Sequence, residues 1–278
     1  GTLYVVATPI GNLGDITARA LEVLSAVAVV AAEDTRVTRK LWSRFDIATP
    51  LVSYHAHSDD RRTAQLIERL EGGEDVALVT DAGTPLVSDP GQVLVRAWIE
   101  RGGSVVPIPG ASAVLAALVG SGVPAARWGF EGFLPRKGRE RKERLARIAA
   151  DDRATVLFEA HGRAAGTLRD LAEACGAERA AAVCRELTKL HEEVWRGPLG
   201  DAGAHLDARA PRGEYVVVLA GAGPAAPVTD AELVASLQAE LAAGASRRDA
   251  VVAVTAGFGV GRRRVYQLAL GLEPESGG

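Results

Sequence analysis

The sequence predicts an α/β fold of two domains followed by a small helical appendage, on three observations. Short β-branched runs alternate with helix-periodic segments from Leu3 to Val119. The same alternation restarts after residues 120–124, and the segment beyond residue 227 keeps helical periodicity without a strand signal. The 278 residues suffice for two ordinary domains, and 47% hydrophobic with 24% charged residues matches folded chains rather than disordered ones.

Taken in order, Leu3 to Ala7 is an apolar run closed by Thr8-Pro9, Ala18 to Leu24 is helix-periodic, and Val27 to Ala32 is β-branched again. The pattern continues as helix 36–44, strand 51–54, helix 61–70, strand 76–80, helix 92–101, strand 105–108 and helix 112–119, which predicts a mostly parallel sheet covered on both faces. A second set of strands is expected near 128–133, 154–158, 181–185, 194–197 and 215–220. The domains are therefore drawn as 1–119, 120–222 and a tail at 223–278, with the Gly- and Pro-rich stretch 221–227 as linker.

Composition excludes several classes. The two cysteines, Cys175 and Cys184, have neither zinc-ligand spacing nor the number for a disulfide framework. No apolar run approaches the length of a membrane span, and Gly1-Thr2-Leu3-Tyr4 lacks the character of a signal peptide, so a cytoplasmic location without membrane partners is expected. Methionine is absent even at position 1, so a removed or trimmed terminus is expected. The net charge of −3 argues weakly against nucleic acid, but distribution matters more than the sum. Lysine occurs only at positions 40, 137, 142 and 189, so nearly all positive charge is arginine, suited to bidentate phosphate contacts.

In open α/β sheets ligands bind beyond the carboxyl ends of strands, so the turns there are informative. After the first strand, Thr8-Pro9-Ile10-Gly11 opens a glycine-bearing turn that does not match the dinucleotide fingerprint. The second strand is followed by Glu33-Asp34-Thr35-Arg36, two carboxylates and a guanidinium in one turn, for which an acidic helix N-terminus is the structural alternative. Asp81 to Gly91, after the fourth strand, has Gly83 for close backbone approach and Pro85 and Pro90 for stiffness. After the fifth, Pro109-Gly110-Ala111-Ser112-Ala113 opens a helix with small side chains and exposed N–H groups. Two stiff loops on one sheet edge predict a nucleotide-sized cleft without naming its chemistry.

Five segments in order, Glu33-Asp-Thr-Arg36, Asp81-Ala-Gly-Thr-Pro85, Pro109-Gly-Ala-Ser-Ala113, Glu131-Gly-Phe-Leu-Pro135 and Arg185-Glu-Leu-Thr-Lys189, resemble the tetrapyrrole methylase superfamily over about Leu3 to Ala220. Within it they are most similar to the ribosomal RNA small subunit methyltransferase I branch. The resemblance implies a two-domain class III methyltransferase fold with S-adenosylmethionine in the cleft. The cofactor contacts it implies are Pro9, Asp81, Ala82, Gly83, Thr84, Pro109, Gly110, Ser112, Ala113, Phe158, Leu187, Gly213 and Glu214. It also implies a homodimer and 2′-O-methylation of a cytidine in the decoding region of 16S ribosomal RNA, free or in the small subunit. Where the branch shows a serine and a histidine, this chain has Ala160 and Gly162, with His161 between them.

A sulfonium methyl is already activated, so the protein's work is to align acceptor, carbon and sulfur and to receive a proton; no metal is required. Glu33 and Asp34 are the candidate proton acceptors, Glu186 is a further one, and Arg36 is suited to orient a carboxylate or clamp phosphate. Lys189 serves as base only if desolvated; an exposed lysine is the plain alternative. Arg136, Lys137 and Arg139, together with Arg247, Arg248, Arg262, Arg263 and Arg264 in the tail, are candidate RNA contacts, against the alternative of solvated helix faces. Ser246 to Leu270 has the pattern of a small helix-turn-helix. Methylation of a porphyrin-like macrocycle and a non-catalytic RNA-binding assembly factor are the competing readings.

Overall fold

The first sheet contains β1 (Thr2–Val6), β2 (Val29–Ala32), β3 (Leu51–Ser53), β4 (Val76–Val79) and β5 (Ser104–Ile108) in the order β3-β2-β4-β1-β5. Every pairing in it is parallel. The period of two is visible in the packing. Val30, Ala32, Ala77 and Val79 join Leu24 of α1 (Ala18–Ala26) and Trp42 of α2 (Thr35–Phe45) on one face. Val29, Ala31, Val76 and Leu78 join Leu66 and Leu70 of α3 (Asp60–Glu71) and Leu94 of α4 (Gln92–Ile99) on the other. A sheet covered on both faces needs continuous apolar strands, which is why β2 and β4 are buried at every position.

The site follows from this topology. β1 and β4 are neighbours, yet β1 feeds α1 on one face on its way to β2, whereas β4 feeds α4 on the opposite face on its way to β5. Their exit loops diverge, and a crevice opens between them at the carboxyl edge. The computed structural model describes residues 1–55, 60–208, 212–223 and 228–272.

The second sheet runs β6-β7-β10-β8-β9, comprising β6 (Trp128–Phe133), β7 (Ala154–Ala160), β8 (Ala180–Arg185), β9 (Glu193–Pro198) and β10 (Glu214–Leu219). Only β6 and β7 pair in parallel; the rest are antiparallel. The link from β8 to β9 is too short for the crossover that a parallel pair requires. One face carries Leu168 and Leu171 of α7 (Ala164–Cys175), Ile148 of α6 (Arg139–Ala150) and Leu199 of α8 (Leu199–Asp207). The opposite face, with Val156, Ala182, Cys184 and Val216, is covered by Val114 and Ala117 of α5 (Ala113–Ser121). Helix α5 follows the first sheet in sequence but packs on the second; the boundary drawn at 119/120 falls in its last turn and leaves the rest of the helix on the other side from the sheet it covers.

By compactness the chain divides into Gly1–Gly223, which holds both sheets, and Pro224–Gly278. The second unit has α9 (Asp230–Ala242), α10 (Arg247–Phe258) and α11 (Arg262–Leu270) around Leu233, Leu237, Val251, Val254 and Val265. Thr229 and Glu232 form a capping box at α9. Ser246 caps α10, and Gly259 ends it in the left-handed region. Of the linker expected over 221–227, residues 224–227 lie outside the described residues.

Candidate active site

Three loops form one wall of a cleft. Thr8 and Gly83 exchange backbone hydrogen bonds of 2.9 and 3.0 Å, and the Thr8 hydroxyl donates to the Thr80 carbonyl at 3.1 Å. Gly83 sits at φ +87°, where a Cβ would meet Ile10 Cγ2 at 3.2 Å, so glycine allows the loop after β4 to lie against the end of β1. The loop after β5 is tied in by Ala7 N–H donating to Ile108 O at 3.2 Å and by the Thr84 hydroxyl donating to Ala111 O at 3.2 Å.

The opposite wall comes from the second sheet, whose antiparallel register decides its membership. Glu214 lies opposite Ala160 and Tyr215 opposite Arg185, so the start of β10 sits beside the ends of β7 and β8. Phe158, Leu187, Gly213 and Glu214 therefore converge although distant in sequence. Gly213, at φ +86°, leaves room for Glu186, whose carboxyl atoms would lie 2.6 Å from a Cβ there. Phe158 packs with Phe130 and Phe133 at centroid distances of 5.0 and 5.6 Å, presenting an aromatic wall to the cleft. The cleft measures about 390 Å³ and suits a nucleotide-sized ligand.

Three carboxylates stand on the first wall. Glu33 Oε2 accepts from the Thr80 hydroxyl at 2.7 Å, and Asp81 Oδ1 accepts from the Asp34 N–H at 2.9 Å. Burial raises Asp81 above the usual carboxylate range, and the charges of Glu33 and Asp34 add to this. Asp89 is pushed up to about 6, first by burial and then by Glu33 and Asp81, against a lowering hydrogen bond from Thr80. Leu86 and Ser88 in the same loop are non-glycine residues at φ 73° and 72°, conformations that cost about 1–3 kcal/mol each and concentrate at functional sites.

Asp34 caps α2: its Oδ1 accepts from Arg36 N–H at 2.8 Å, and its Oδ2 pairs with Arg36 Nη2 at 2.6 Å. These bonds hold its carboxyl down to about 2. The helix-cap alternative is thus realised for Asp34. Of the acidic turn, Glu33 lines the cleft, whereas Asp34 and Arg36 do not.

Lys189 is neither exposed nor a ready base. Burial opposes its charge, but hydrogen bonds to Glu186 Oε1 at 2.8 Å and Glu214 Oε2 at 3.0 Å outweigh that and raise it. Glu186 is lowered in turn, chiefly by Lys189. Asp81, Ala82, Gly83, Thr84, Ser112, Ala113, Phe158, Leu187, Gly213 and Glu214 all line the cleft, whereas Pro9, Pro109 and Gly110 do not. Pro9 is buried, and a Cβ at Gly110 would meet Ala7 Cβ at 3.0 Å, so these residues fix loops rather than face the cavity.

Asp89 and His161, which no sequence motif assigns to the site, also line the cleft. Asp89-Pro90-Gly91 just before α4 marks a tight turn, but only the fold reveals that it bends back to Glu33. His161 follows β7, beside the glycine at 162, where a Cβ would enter open space.

The basic candidates differ among themselves. Arg139 pairs with Glu143, Arg247 donates to Leu272 O, and Arg264 binds Asp230 and Val228 O. Arg141 and Arg144 of the same basic run are held by Asp170 and Glu131. Arg136, Lys137, Arg248, Arg262 and Arg263 are exposed.

Comparison with known proteins gives consistent relatives. Residues 2–203 match the Tetrapyrrole (Corrin/Porphyrin) Methylases family. The chain is 47% identical over 277 residues to a ribosomal RNA small subunit methyltransferase I of Synechocystis sp., covering 99% of both chains. It is 44% identical over 281 residues to the protein so named from Mycobacterium tuberculosis, covering 100% of this chain and 98% of that one. Among solved structures it is similar to a uroporphyrin-III C-methyltransferase of Thermus thermophilus complexed with S-adenosyl homocysteine. That likeness has a TM-score of 0.57 at 18% identity over 79% of this chain and 97% of that one, and so speaks to the fold alone.

Proposed function

The chain belongs to the tetrapyrrole methylase family, and from that membership we propose that it methylates the 2′-hydroxyl of a cytidine in the decoding region of 16S ribosomal RNA. It is an S-adenosylmethionine-dependent methyltransferase of small-subunit ribosomal RNA. The observation that supports this most is similarity over nearly the whole chain, tail included, to ribosomal RNA small subunit methyltransferases I. The porphyrin reading draws no support from the solved structures, whose likeness is one of fold.

The residues fit the cofactor. Small side chains at Ala82, Gly83 and Ala113 leave a cradle beside the aromatic wall of Phe158. Thr188 Oγ1, between the lining residues Leu187 and Lys189, is buried without a hydrogen-bond partner among the described residues. Residues 81–84, Ser112, Ala113, Phe158, Leu187, Gly213 and Glu214 would hold S-adenosylmethionine, with Pro9, Pro109 and Gly110 supporting their loops. That group supplies an activated methyl when bound.

The chain's own residues then position the ribose and take up its proton. Glu33 is the proton acceptor, and the Asp34–Arg36 pair orients the acceptor side. Asp34 itself, held down to about 2 and bound to Arg36, is a poor base. Asp89, at about 6, stands near the value at which a carboxylate exchanges protons efficiently at neutral pH. The glutamates on Lys189 keep it protonated and fix the loop after β8. The proposal includes a cytoplasmic homodimer; no described helix is long and apolar enough to cross a membrane. Incubation with methyl-labelled S-adenosylmethionine and either small-subunit RNA or a uroporphyrin tests the reading. Label is expected in alkali-resistant dinucleotides of the RNA, because a 2′-O-methyl blocks alkaline cleavage. Label in the macrocycle alone would refute it.

A further inference from the structure

A second depression lies next to the cleft, and it has a different character. It measures about 910 Å³ and is walled by Arg136, Arg141, Arg163 and Arg169, with Asp170 and Asp207 as acidic members. Ala160, His161 and Tyr215 line both it and the cleft, so the two are continuous across the turn after β7. That turn is low: Ala160 is small, and Gly162 has no side chain where a Cβ would find open space. A strand with one nucleotide in the cleft therefore has an open path into the groove.

The arginines are not equally free. Arg141 is committed to Asp170, Thr167 and Pro135 O, and Arg163 binds the buried Glu159 and Leu134 O. Arg169 uses one nitrogen on Asp207, in a pair 60% and 57% exposed, which contributes little and leaves most of its donors unused. Arg136 is exposed. Acidic side chains thus hold the inner arginines in place, while the outer two keep donors for a ligand. Planar donors in a wet groove suit phosphodiester oxygens.

Resting on the ribosomal RNA reading above, we propose that this groove binds the single-stranded RNA next to the methylated nucleotide. Arg136 and Arg169 contact its phosphates, and His161 stands at the passage into the cleft. Arg136 thus differs from Lys137 and Arg139, which lie outside the groove lining, and Arg169 joins it as a second phosphate contact.

The test uses the full chain and a transcript of small-subunit ribosomal RNA, comparing wild type with Arg136→Ala/Arg169→Ala and with Arg136→Lys/Arg169→Lys. The alanine pair is expected to lower the slope of log affinity against log salt by about 1.4, two single-strand contacts at about 0.7 each. KM for the RNA should rise about tenfold at physiological salt, with kcat and S-adenosylmethionine affinity within about twofold. The lysine pair, which keeps the charge, should recover most of the slope. Unchanged slope and KM in alanine variants that still bind cofactor would overturn the groove. If the wild type transfers no methyl to the RNA, the ribosomal reading itself fails and the groove proposal falls with it.

Discussion

Replacing Asp89 with asparagine should stabilise the protein at neutral pH and flatten its stability profile below. Asp89 moves from an ordinary 3.8 when unfolded to about 6 when folded, so between those values the folded chain holds more proton than the unfolded one. Stability from this group is therefore fully present below 3.8 and is lost as pH rises through about 6. At 1.36 kcal/mol per pH unit the rise corresponds to about 3 kcal/mol. The carboxyl is partly exposed, and solvent screening reduces the effect to about 1–1.5 kcal/mol. Asparagine keeps the shape while removing the charge opposed by Glu33 and Asp81. Thermal melts of wild type and variant from pH 4 to pH 8 should coincide at the acid end and separate by about 3–5 °C at pH 8, the variant being higher. A carboxylate on the reacting wall is retained for its chemistry, so turnover should fall by about tenfold or more while stability rises. A variant that melts at or below the wild type at pH 8 would show that the carboxylate is not opposed by its surroundings.

The other predictions concern the same cleft and the tail. Gly83→Val places a β-branched side chain at φ +87° with its Cβ toward Ile10, so S-adenosylmethionine affinity should fall at least tenfold and stability by about 1–3 kcal/mol. Normal calorimetric affinity in a folded variant would remove that loop from the site. Asp34→Asn retains a good helix cap, so its melting temperature should change little while kcat falls; Asp34→Ala should additionally lose about 1 kcal/mol. Equal activity of Asp34→Asn and wild type would leave Asp34 as a cap only. Substituting Arg248, Arg262 and Arg263 with alanine in the full chain should weaken RNA binding and reduce its salt slope by about one unit per lost contact, with cofactor affinity unchanged. An unchanged slope would return these arginines to solvent-facing roles.

Most elements were legible because their burial is periodic. Strands β2 and β4, buried at every position, read as continuous apolar runs, and α1 to α4 each present one apolar stripe to the sheet. Strand direction in the second sheet was not legible as such. β10 runs antiparallel to both β7 and β8, which places its start beside their ends, and no local pattern announces this. The same limit applies at the site. The loops after β1, β4 and β5 are recognisable one by one from glycine and proline, but the Thr8–Gly83 bonding and the gathering of Glu33, Asp81 and Asp89 depend on β1 and β4 being neighbours. Charge was the least legible quantity. Arg139, Arg141, Arg144 and Arg264 look alike in sequence to Arg136 and Arg262, yet the fold pairs the first four with carboxylates.

Ribose methylation can be mapped along the 16S ribosomal RNA of cells with this protein and of cells in which it is replaced by the Glu33→Gln variant. One cytidine in the decoding region should carry a 2′-O-methyl in the first and lack it in the second, with every other position unchanged. Identical maps from the two strains, or loss of a methyl group from a base instead of a ribose, would rule out cytidine 2′-O-methylation through Glu33.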